Sequence, residues 1–255
     1  MVRKHRPTRL PAPYLQRISL QADLPRPQAY PFDLPWLTPD FDLEFTTPVT
    51  IITGENGTGK STLIEAIAGL CGFDEAGGGK GYRPVDHSGA RDRSGTGLAD
   101  LLKAAWLPKV SDGWFFRAET FFSVARYLDA SGSLMADYLT LSHGEGFLEF
   151  FAERLSRQGL YLLDEPESAL SPRRQMDLLR LLHEISETAR AQVLLCTHSP
   201  YLMALPGARL LEVNHRGFRE ISYRDTAHFR WLQAFAMDPD AFTAAALADE
   251  VDDLI

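Results

Sequence analysis

One stretch constrains the fold of this chain more than any other: an apolar run leads directly into a glycine-rich loop that ends in Lys60 and Ser61. Val49 to Thr53 has the composition of a buried strand, and Ser61 to Leu70 has the apolar spacing of a helix. The loop between them fits the pattern G-x-x-x-x-G-K-[ST], whose glycines let backbone amides turn towards phosphate groups. A strand, loop and helix in this order predict a nucleoside triphosphate site at the helix N-terminus, and a chance glycine turn explains them less well.

Each residue type in this loop has a predicted contact. Lys60 supplies a mobile cation for the β and γ phosphate oxygens, and the hydroxyl of Ser61 can ligate Mg²⁺. The residues that we expect to bind the nucleotide are Gly54, Glu55, Asn56, Gly57, Thr58, Gly59, Lys60, Ser61 and Thr62.

Composition excludes several other classes of protein. The chain has 255 residues and a formal net charge of -8, which argues against a surface that is basic throughout but allows a local basic patch. Cys71 and Cys196 lack the spacing of a zinc site or disulfide framework, so buried thiols in a reducing cytoplasm are expected. No apolar run approaches the length of about 18 residues that spans a bilayer, and no signal peptide is evident, so we expect a cytoplasmic protein without membrane insertion.

The domain organisation predicted from the sequence is simple. Residues 1–13 form a basic tail that we expect to be disordered, and residues 249–255 form an acidic tail. Residues 14–248 form one nucleotide-binding domain with a helical and loop insertion at about 72–140, which contains a long glycine-bearing loop at 77–97.

Periodicity predicts the remaining elements. Predicted strands cover residues 14–21, 41–45, 113–118, 160–164 and 192–197, with a hairpin at 210–213 and 218–223. Predicted helices cover residues 98–106, 121–128, 225–237 and 239–247. A further helix is capped by Ser171, and Met176, Leu179, Leu182 and Ile185 mark its buried face. Tyr30, Phe32 and Trp36 are expected to anchor a proline-rich connection on the core, with adenine stacking as an alternative.

Three further positions carry candidate chemistry. The strand 160–164 ends in Asp164 and Glu165, at the edge where open α/β sheets bind ligands; Asp164 suits Mg²⁺, and Glu165 suits deprotonation of an attacking water. His198 follows the next strand and can reach a γ-phosphate. Ser142 and Gly144 open a helical run, a pattern that also fits a capping box.

In their order and spacing these motifs resemble the ABC class of P-loop ATPases. Gly54 to Ser61 matches the Walker A motif, Leu141 to Glu145 the signature motif, and Leu160 to Glu165 the Walker B motif with its catalytic glutamate. Ser168 to Ser171 matches the D-loop, and His198 matches the switch histidine. The chain is most similar to small stand-alone bacterial ATPases that often carry an AAA-family label, on the SMC and RecF-like side of the class.

The resemblance implies an α/β fold: a mainly parallel central sheet flanked by helices, an N-terminal antiparallel β portion and a small helical insertion. It also implies ATP and Mg²⁺ as cofactors, and Glu165, His198 and Lys60 as catalytic residues. Two copies of the chain would stack head to tail, with Ser142 and the amide of Gly144 reaching the partner's γ-phosphate. Glu119 stands where the class has a glutamine that contacts Mg²⁺, so Ser61, Asp164 and Glu119 form the expected metal set.

Three tasks for such a site stay open at this level. A soluble homodimeric switch linked to DNA maintenance or defence, or to a partner protein, is favoured by the sequences Gly-Glu-Asn-Gly and Ser-His-Gly-Glu, in which His143 replaces the usual first glycine of the signature. The alternatives are the ATPase subunit of an ABC transporter and a nucleotide-gated binding module with little turnover.

Overall fold

The computed structural model describes residues 8–21, 24, 27–74, 77–80, 96–110, 112–118 and 143–254. In chain order, its strands are β1 (Leu15–Leu20), β2 (Asp42–Glu44), β3 (Val49–Thr53), β4 (Leu102–Trp106), β5 (Gly113–Arg117), β6 (Leu160–Asp164), β7 (Gln192–Cys196), β8 (Arg209–Asn214) and β9 (Gly217–Glu220). Its α-helices are α1 (Lys60–Cys71), α2 (Thr96–Leu101), α3 (His143–Leu155), α4 (Pro172–Thr188), α5 (Pro200–Met203), α6 (Ala227–Met237) and α7 (Pro239–Leu247). Short 3₁₀ helices cover Pro166–Ala169, Tyr223–Asp225 and Val251–Leu254.

The central sheet has six strands in the order β5-β6-β7-β3-β8-β9. All neighbours in it are parallel except β8 and β9, which form an antiparallel hairpin. Because β3, β6 and β7 are parallel neighbours in register, the residues that follow Thr53, Asp164 and Cys196 meet at one edge of the sheet. The predicted fold class, a mainly parallel sheet flanked by helices, is confirmed.

The two faces of this sheet carry different helices. One face packs against α1, with Ile52, Phe115 and Leu162 in the same apolar cluster as Leu63 and Ile67. The opposite face packs against α3 and α4; that cluster contains Ile51, Leu163, Phe147, Phe151 and Leu182. Since successive side chains of a strand point to opposite faces, the continuous apolar runs of these strands are explained by burial on both sides.

A second, three-stranded antiparallel sheet has the order β2-β1-β4. The prediction of one helix over residues 98–106 is wrong, because the helix ends at Leu101 and Leu102–Trp106 pairs with β1. Burial alternates along β4, with Leu102 buried and Lys103 exposed. Antiparallel pairing with β1 therefore outweighs the helical propensity of its leucine, lysine and alanines.

The predicted N-terminal tail and the predicted buried face of α4 both need correction. The N-terminal tail was placed at residues 1–13, but Thr8 exchanges hydrogen bonds with Gln158, and Ala12 is buried and donates its N–H to the carbonyl of Ala189. On α4, the buried positions are Leu178, Leu182 and Ile185, whereas the predicted Met176 and Leu179 are only partly buried. The cap of α4 is as predicted: Ser171 Oγ accepts a hydrogen bond from the N–H of Arg174.

The C-terminal part follows the prediction closely. The hairpin of β8 and β9 is followed by α6 and α7, and the predicted starts and ends of these two helices agree within two residues. The helix predicted at residues 121–128, and most of the loop at 77–97, lie outside the described residues. Within the described part of the chain, no helix has both the length and the apolar character needed to cross a membrane.

Candidate functional site

The phosphate loop joins β3 to α1 through glycines in left-handed backbone conformations. Gly54 has a φ of 147°, and a Cβ there would lie 2.3 Å from the carbonyl oxygen of Val213 on β8. Gly59, with a φ of 87°, caps α1, and a Cβ there would lie 2.8 Å from Leu34. Only glycine satisfies both the φ angle and the close approach, so the loop conformation depends on these residues.

Lys60 lies buried inside this loop. Its Nζ donates hydrogen bonds to the carbonyls of Gly54 at 2.8 Å and Glu55 at 2.9 Å. Burial lowers the pKa of Lys60, while the nearby carboxylates of Glu165 and Asp164 act in the opposite direction. The ammonium group is thus held by the loop at the position where phosphate oxygens are expected.

Ser61 and Asp164 are brought together, as the metal prediction requires. Ser61 Oγ donates to Asp164 Oδ1 at 3.0 Å. Burial raises the pKa of Asp164 to about 6, although the charge of Arg117 and the bond from Ser61 lower it. A hydroxyl and a carboxylate oxygen in contact fit Mg²⁺, which is usually held by one or two carboxylates together with phosphates and water. The two residues therefore suit the expected metal.

Arg117 and Glu65 complete a buried charge cluster that sequence reasoning missed. Arg117 Nη1 lies 2.6 Å from Glu65 Oε1 on α1, and its Nε lies 3.7 Å from Asp164 Oδ2. The parallel register places Arg117 directly beside Asp164. Arg117 and Asp164 each end an apolar strand, and this common position is the feature of the sequence from which their contact could have been predicted.

Glu165 follows Asp164 in a left-handed conformation with a φ of 47°, which few residues other than glycine adopt. Its N–H donates to the carbonyl of Cys196, and its own carbonyl accepts hydrogen bonds from the N–H and hydroxyl of Ser168. Its side chain is 44% exposed, and Oε1 lies 3.8 Å from Nε2 of His198. The turn thus presents the carboxylate at the open edge of the site beside the histidine.

Glu167 holds the turn that contains His198. Its Oε1 accepts hydrogen bonds from the backbone N–H groups of His198 at 2.6 Å and Ser199 at 3.2 Å. Burial raises the pKa of Glu167, and the bonds that it accepts oppose the shift. Glu167 was not singled out from the sequence; it belongs to the segment just after the Walker B match.

A cavity of about 350 Å³ opens beside the loop, and residues of α6 form one of its walls. His228 and Trp231 of α6 line it together with His198. None of the site residues predicted from the sequence lies in the C-terminal part of the chain at residues 210–255. The other lining residues are Thr53, Gly54, Glu55, Asn56, Glu212 and Ala227.

The aromatic residues of the proline-rich connection pack on the loop. Trp36 is buried against Phe41 and Phe218, and its Nε1 donates to the carbonyl of Thr58 at 2.8 Å. The hydroxyl of Tyr30 forms a hydrogen bond with Thr62 Oγ1, and Tyr30 is otherwise exposed. Trp36 therefore anchors the proline-rich connection on the core, as the favoured interpretation of the sequence predicted.

Two predicted site residues, Glu119 and Ser142, lie outside the described residues. Gly144 lies in the first turn of α3, directly after that gap. Across the described residues, the structure brings together the phosphate loop, Ser61 with Asp164, and Glu165 with His198. A strand, phosphate loop and helix, with carboxylates ending the neighbouring strands, define a P-loop nucleoside triphosphatase.

Comparisons with known proteins agree with this class. Residues 137–204 match a family model described as "AAA domain, putative AbiEii toxin, Type IV TA system", and residues 36–96 match a model described as AAA domain. The chain is 32% identical over 186 residues to the hemin import ATP-binding protein HmuV of Pseudomonas aeruginosa, covering 63% of this chain and 70% of that protein. It is 24% identical over 185 residues to the molybdate import ATP-binding protein MolC of Haemophilus influenzae, covering 71% and 73%.

A solved structure of similar fold is the dimeric form of a bacterial ABC transporter cassette, with a TM-score of 0.40, 16% identity, and coverage of 73% of this chain and 90% of that one. The sequence relatives are sufficient for assignment: the chain belongs to the ABC class of P-loop ATPases and carries AAA-labelled segments. The resemblance to the ABC class of P-loop ATPases with an AAA label is therefore confirmed, as is the expectation of an ATPase.

Proposed function

We propose that the chain hydrolyses ATP as a head-to-tail homodimer that assembles on ATP and separates after hydrolysis. The observation that carries the proposal is the arrangement at one edge of the sheet. There Lys60 fills the phosphate loop, Ser61 contacts Asp164, and Glu165 lies 3.8 Å from His198. These residues supply a cation that binds the phosphates, two ligands for the metal, a base for the attacking water and a contact to the γ-phosphate.

The residues have distinct roles in the proposed reaction. Lys60 exchanges its bonds to two loop carbonyls for bonds to β and γ phosphate oxygens. Ser61 and Asp164 hold Mg²⁺, which neutralises charge on the phosphates when bound. Glu165 orients the attacking water and accepts its proton, and Nε2 of His198 faces the transferred phosphoryl group. Glu119 remains the proposed third metal contact.

The position of α3 supports a composite site. This helix packs on the sheet face opposite to α1, which starts at the phosphate loop. In the proposed arrangement, Gly144 in the first turn of α3 and Ser142, which precedes that helix in the sequence, contact the γ-phosphate of a second copy. Their amide and hydroxyl groups add donors where charge develops in the transition state, so turnover requires the dimer.

The dimer mechanism is tested with Glu165→Gln, which keeps the shape of the site and removes the base. With ATP and Mg²⁺ we expect this variant to accumulate as a dimer in size-exclusion chromatography coupled to light scattering. The double variant Lys60→Ala/Glu165→Gln should stay monomeric, and Glu187→Gln, at an exposed position on α4, should behave like wild type. A monomeric Glu165→Gln variant that is saturated with ATP would refute the mechanism.

For the process that ATP drives, we propose a soluble switch that acts on DNA or on a partner protein, supported by the Gly-Glu-Asn-Gly and Ser-His-Gly-Glu sequences. The buried free thiols of Cys71 and Cys196 support the proposed cytoplasmic location. The second candidate, the ATPase subunit of a transporter, is supported by relatives that are named import ATP-binding proteins.

One measurement separates these tasks: ATP turnover of the purified chain with and without double-stranded DNA. Stimulation by DNA favours the switch, whereas indifference to DNA and co-purification with a membrane protein favour the transporter subunit. Tight ATP binding without turnover in either condition favours a nucleotide-gated binding module.

A further inference from the structure

Two histidines from distant parts of the chain meet beside the phosphate loop. Nδ1 of His198, in the turn after β7, lies 3.4 Å from Nε2 of His228, in the first turn of α6. Their ring centroids are 5.6 Å apart at an interplanar angle of 41°. Both rings line the cavity of about 350 Å³, which is also lined by Gly54, Glu55 and Asn56 of the phosphate loop.

The backbones on both sides of this contact are fixed. His198 donates its N–H to Glu167 at 2.6 Å. The buried Thr226 caps α6, accepting a hydrogen bond from the N–H of Phe229 at 3.1 Å and donating its hydroxyl to the carbonyl of Tyr223 at 2.7 Å. Because both turns are held, the approach of the two rings follows from the fold and not from two free surface side chains.

Two neutral imidazoles at this distance share one hydrogen, so the contact has two possible directions. If Nδ1 of His198 carries the hydrogen, its Nε2 is an acceptor and repels a phosphate oxygen. If Nε2 of His228 carries the hydrogen, Nδ1 of His198 accepts it, and Nε2 of His198 carries a hydrogen of its own. Burial and the charge of Lys60 lower the pKa of both histidines, which supports a neutral pair.

The other nitrogen of His198 indicates which direction is used. Nε2 of His198 is buried and has no hydrogen-bond partner among the described residues, and the nearest carboxylate oxygen, Oε1 of Glu165, lies 3.8 Å away. A buried polar nitrogen without a partner is costly, and here a γ-phosphate oxygen would relieve that cost by accepting its hydrogen.

We propose that His228 is a positioning residue for the ATPase reaction: its Nε2–H donates to Nδ1 of His198 and so presents the Nε2–H of His198 to the γ-phosphate. This inference rests on the proposed role of His198 in ATP hydrolysis. A helix near the C-terminus thereby takes part in the site and sets the tautomer of a residue from the central sheet. Hydrogen-bond partners that fix the tautomer of metal-ligating histidines contribute about 10- to 100-fold to metal affinity or activity, and we expect an effect of the same order here.

The first test reads the tautomer directly, without nucleotide. In long-range ¹H–¹⁵N spectra of histidine-labelled protein, assigned with His198→Ala, we expect Nδ1 of His198 to be unprotonated and Nε2 to be protonated. His228→Gln, whose amide NH₂ can replace the Nε2–H donor, should keep this pattern, whereas His228→Ala should lose it. His183→Gln, at an exposed position on α4, serves as the control and should leave the pattern unchanged.

The second test measures turnover. We expect kcat to fall about 10- to 100-fold in His228→Ala with little change in the KM for ATP, and to recover most of its value in His228→Gln. A wild-type His198 that carries its hydrogen on Nδ1 would overturn the inference, and so would a His228→Ala variant with the wild-type tautomer and rate. If wild type shows no turnover, the proposed function fails, and the tautomer spectra still decide whether His228 sets the tautomer of His198.

Discussion

Replacing Arg117 by methionine tests the buried charge cluster quantitatively. The substitution leaves the side chains of Glu65 and Asp164, which are 5% and 7% exposed, without their shared cation. Removing one partner from a buried ion pair costs about 3–5 kcal/mol, and because the Arg117 side chain is 24% exposed we expect the lower end, about 3 kcal/mol, at pH 8.

The same loss should depend on pH in a defined direction. The folded-state pKa of Asp164 is already raised to about 6, and removal of Arg117 raises it further. A carboxyl group whose folded-state pKa is raised stabilises the fold below its unfolded-state pKa and loses this contribution as the pH rises through the folded-state value. The destabilisation of the variant should therefore be smaller at pH 5 than at pH 8.

Urea unfolding of wild type, Arg117→Met and the double variant Glu65→Gln/Arg117→Met at both pH values measures this effect. The double variant should recover part of the lost stability at pH 8, because one of the two buried charges is removed with the cation. A loss below about 1 kcal/mol at pH 8, typical of a surface ion pair, would refute the argument, as would equal losses at pH 5 and pH 8.

Four further substitutions test single features of the site. Trp36→Phe removes the hydrogen bond to the carbonyl of Thr58, so we expect a loss of about 1 kcal/mol in urea unfolding and weaker ATP binding by calorimetry. Gly54→Ala places a Cβ 2.3 Å from a carbonyl oxygen of β8 and should abolish ATP binding, whereas Gly57→Ala, where no atom lies within 4 Å, tests the φ effect alone. Glu165→Gly relieves a left-handed φ of 47° and should stabilise the fold by about 1 kcal/mol while abolishing turnover; an unchanged stability would argue against strain at this residue.

The sequence was sufficient to predict the elements whose local residue pattern agrees with the way they pack. The phosphate loop was predictable because its glycines, lysine and serine are adjacent in the chain, and the apolar run of β6 predicted where Asp164 would lie. Strand β4 was not predictable in the same way, since Leu102–Trp106 is rich in good helix formers and its conformation is decided by pairing with β1. Its alternating burial becomes visible only when that partner is known.

The site residues that could not be predicted are brought together by contacts between segments that are distant in the sequence. Arg117 becomes a neighbour of Asp164 only through the register of β5 and β6, although each residue ends a strand that the sequence predicted. His228 belongs to no local motif, and its proposed role depends on the packing that brings α6 to the wall of the cavity. A single sequence therefore predicts site residues that lie together in one segment of the chain. It does not reveal residues that join the site only because two distant segments pack against each other.

The site concentrates several features that are unfavourable in the folded protein on their own. Lys60 and Asp164 are buried charged residues, Glu165 holds a left-handed conformation, and Nε2 of His198 lacks a partner among the described residues. In the proposed reaction, one ligand would relieve three of these features, because ATP with Mg²⁺ would supply phosphate oxygens for the lysine and histidine and a cation for the carboxylate of Asp164. The apolar clusters on both faces of the sheet hold the strands that carry these groups, so the groups are positioned by the core of the domain.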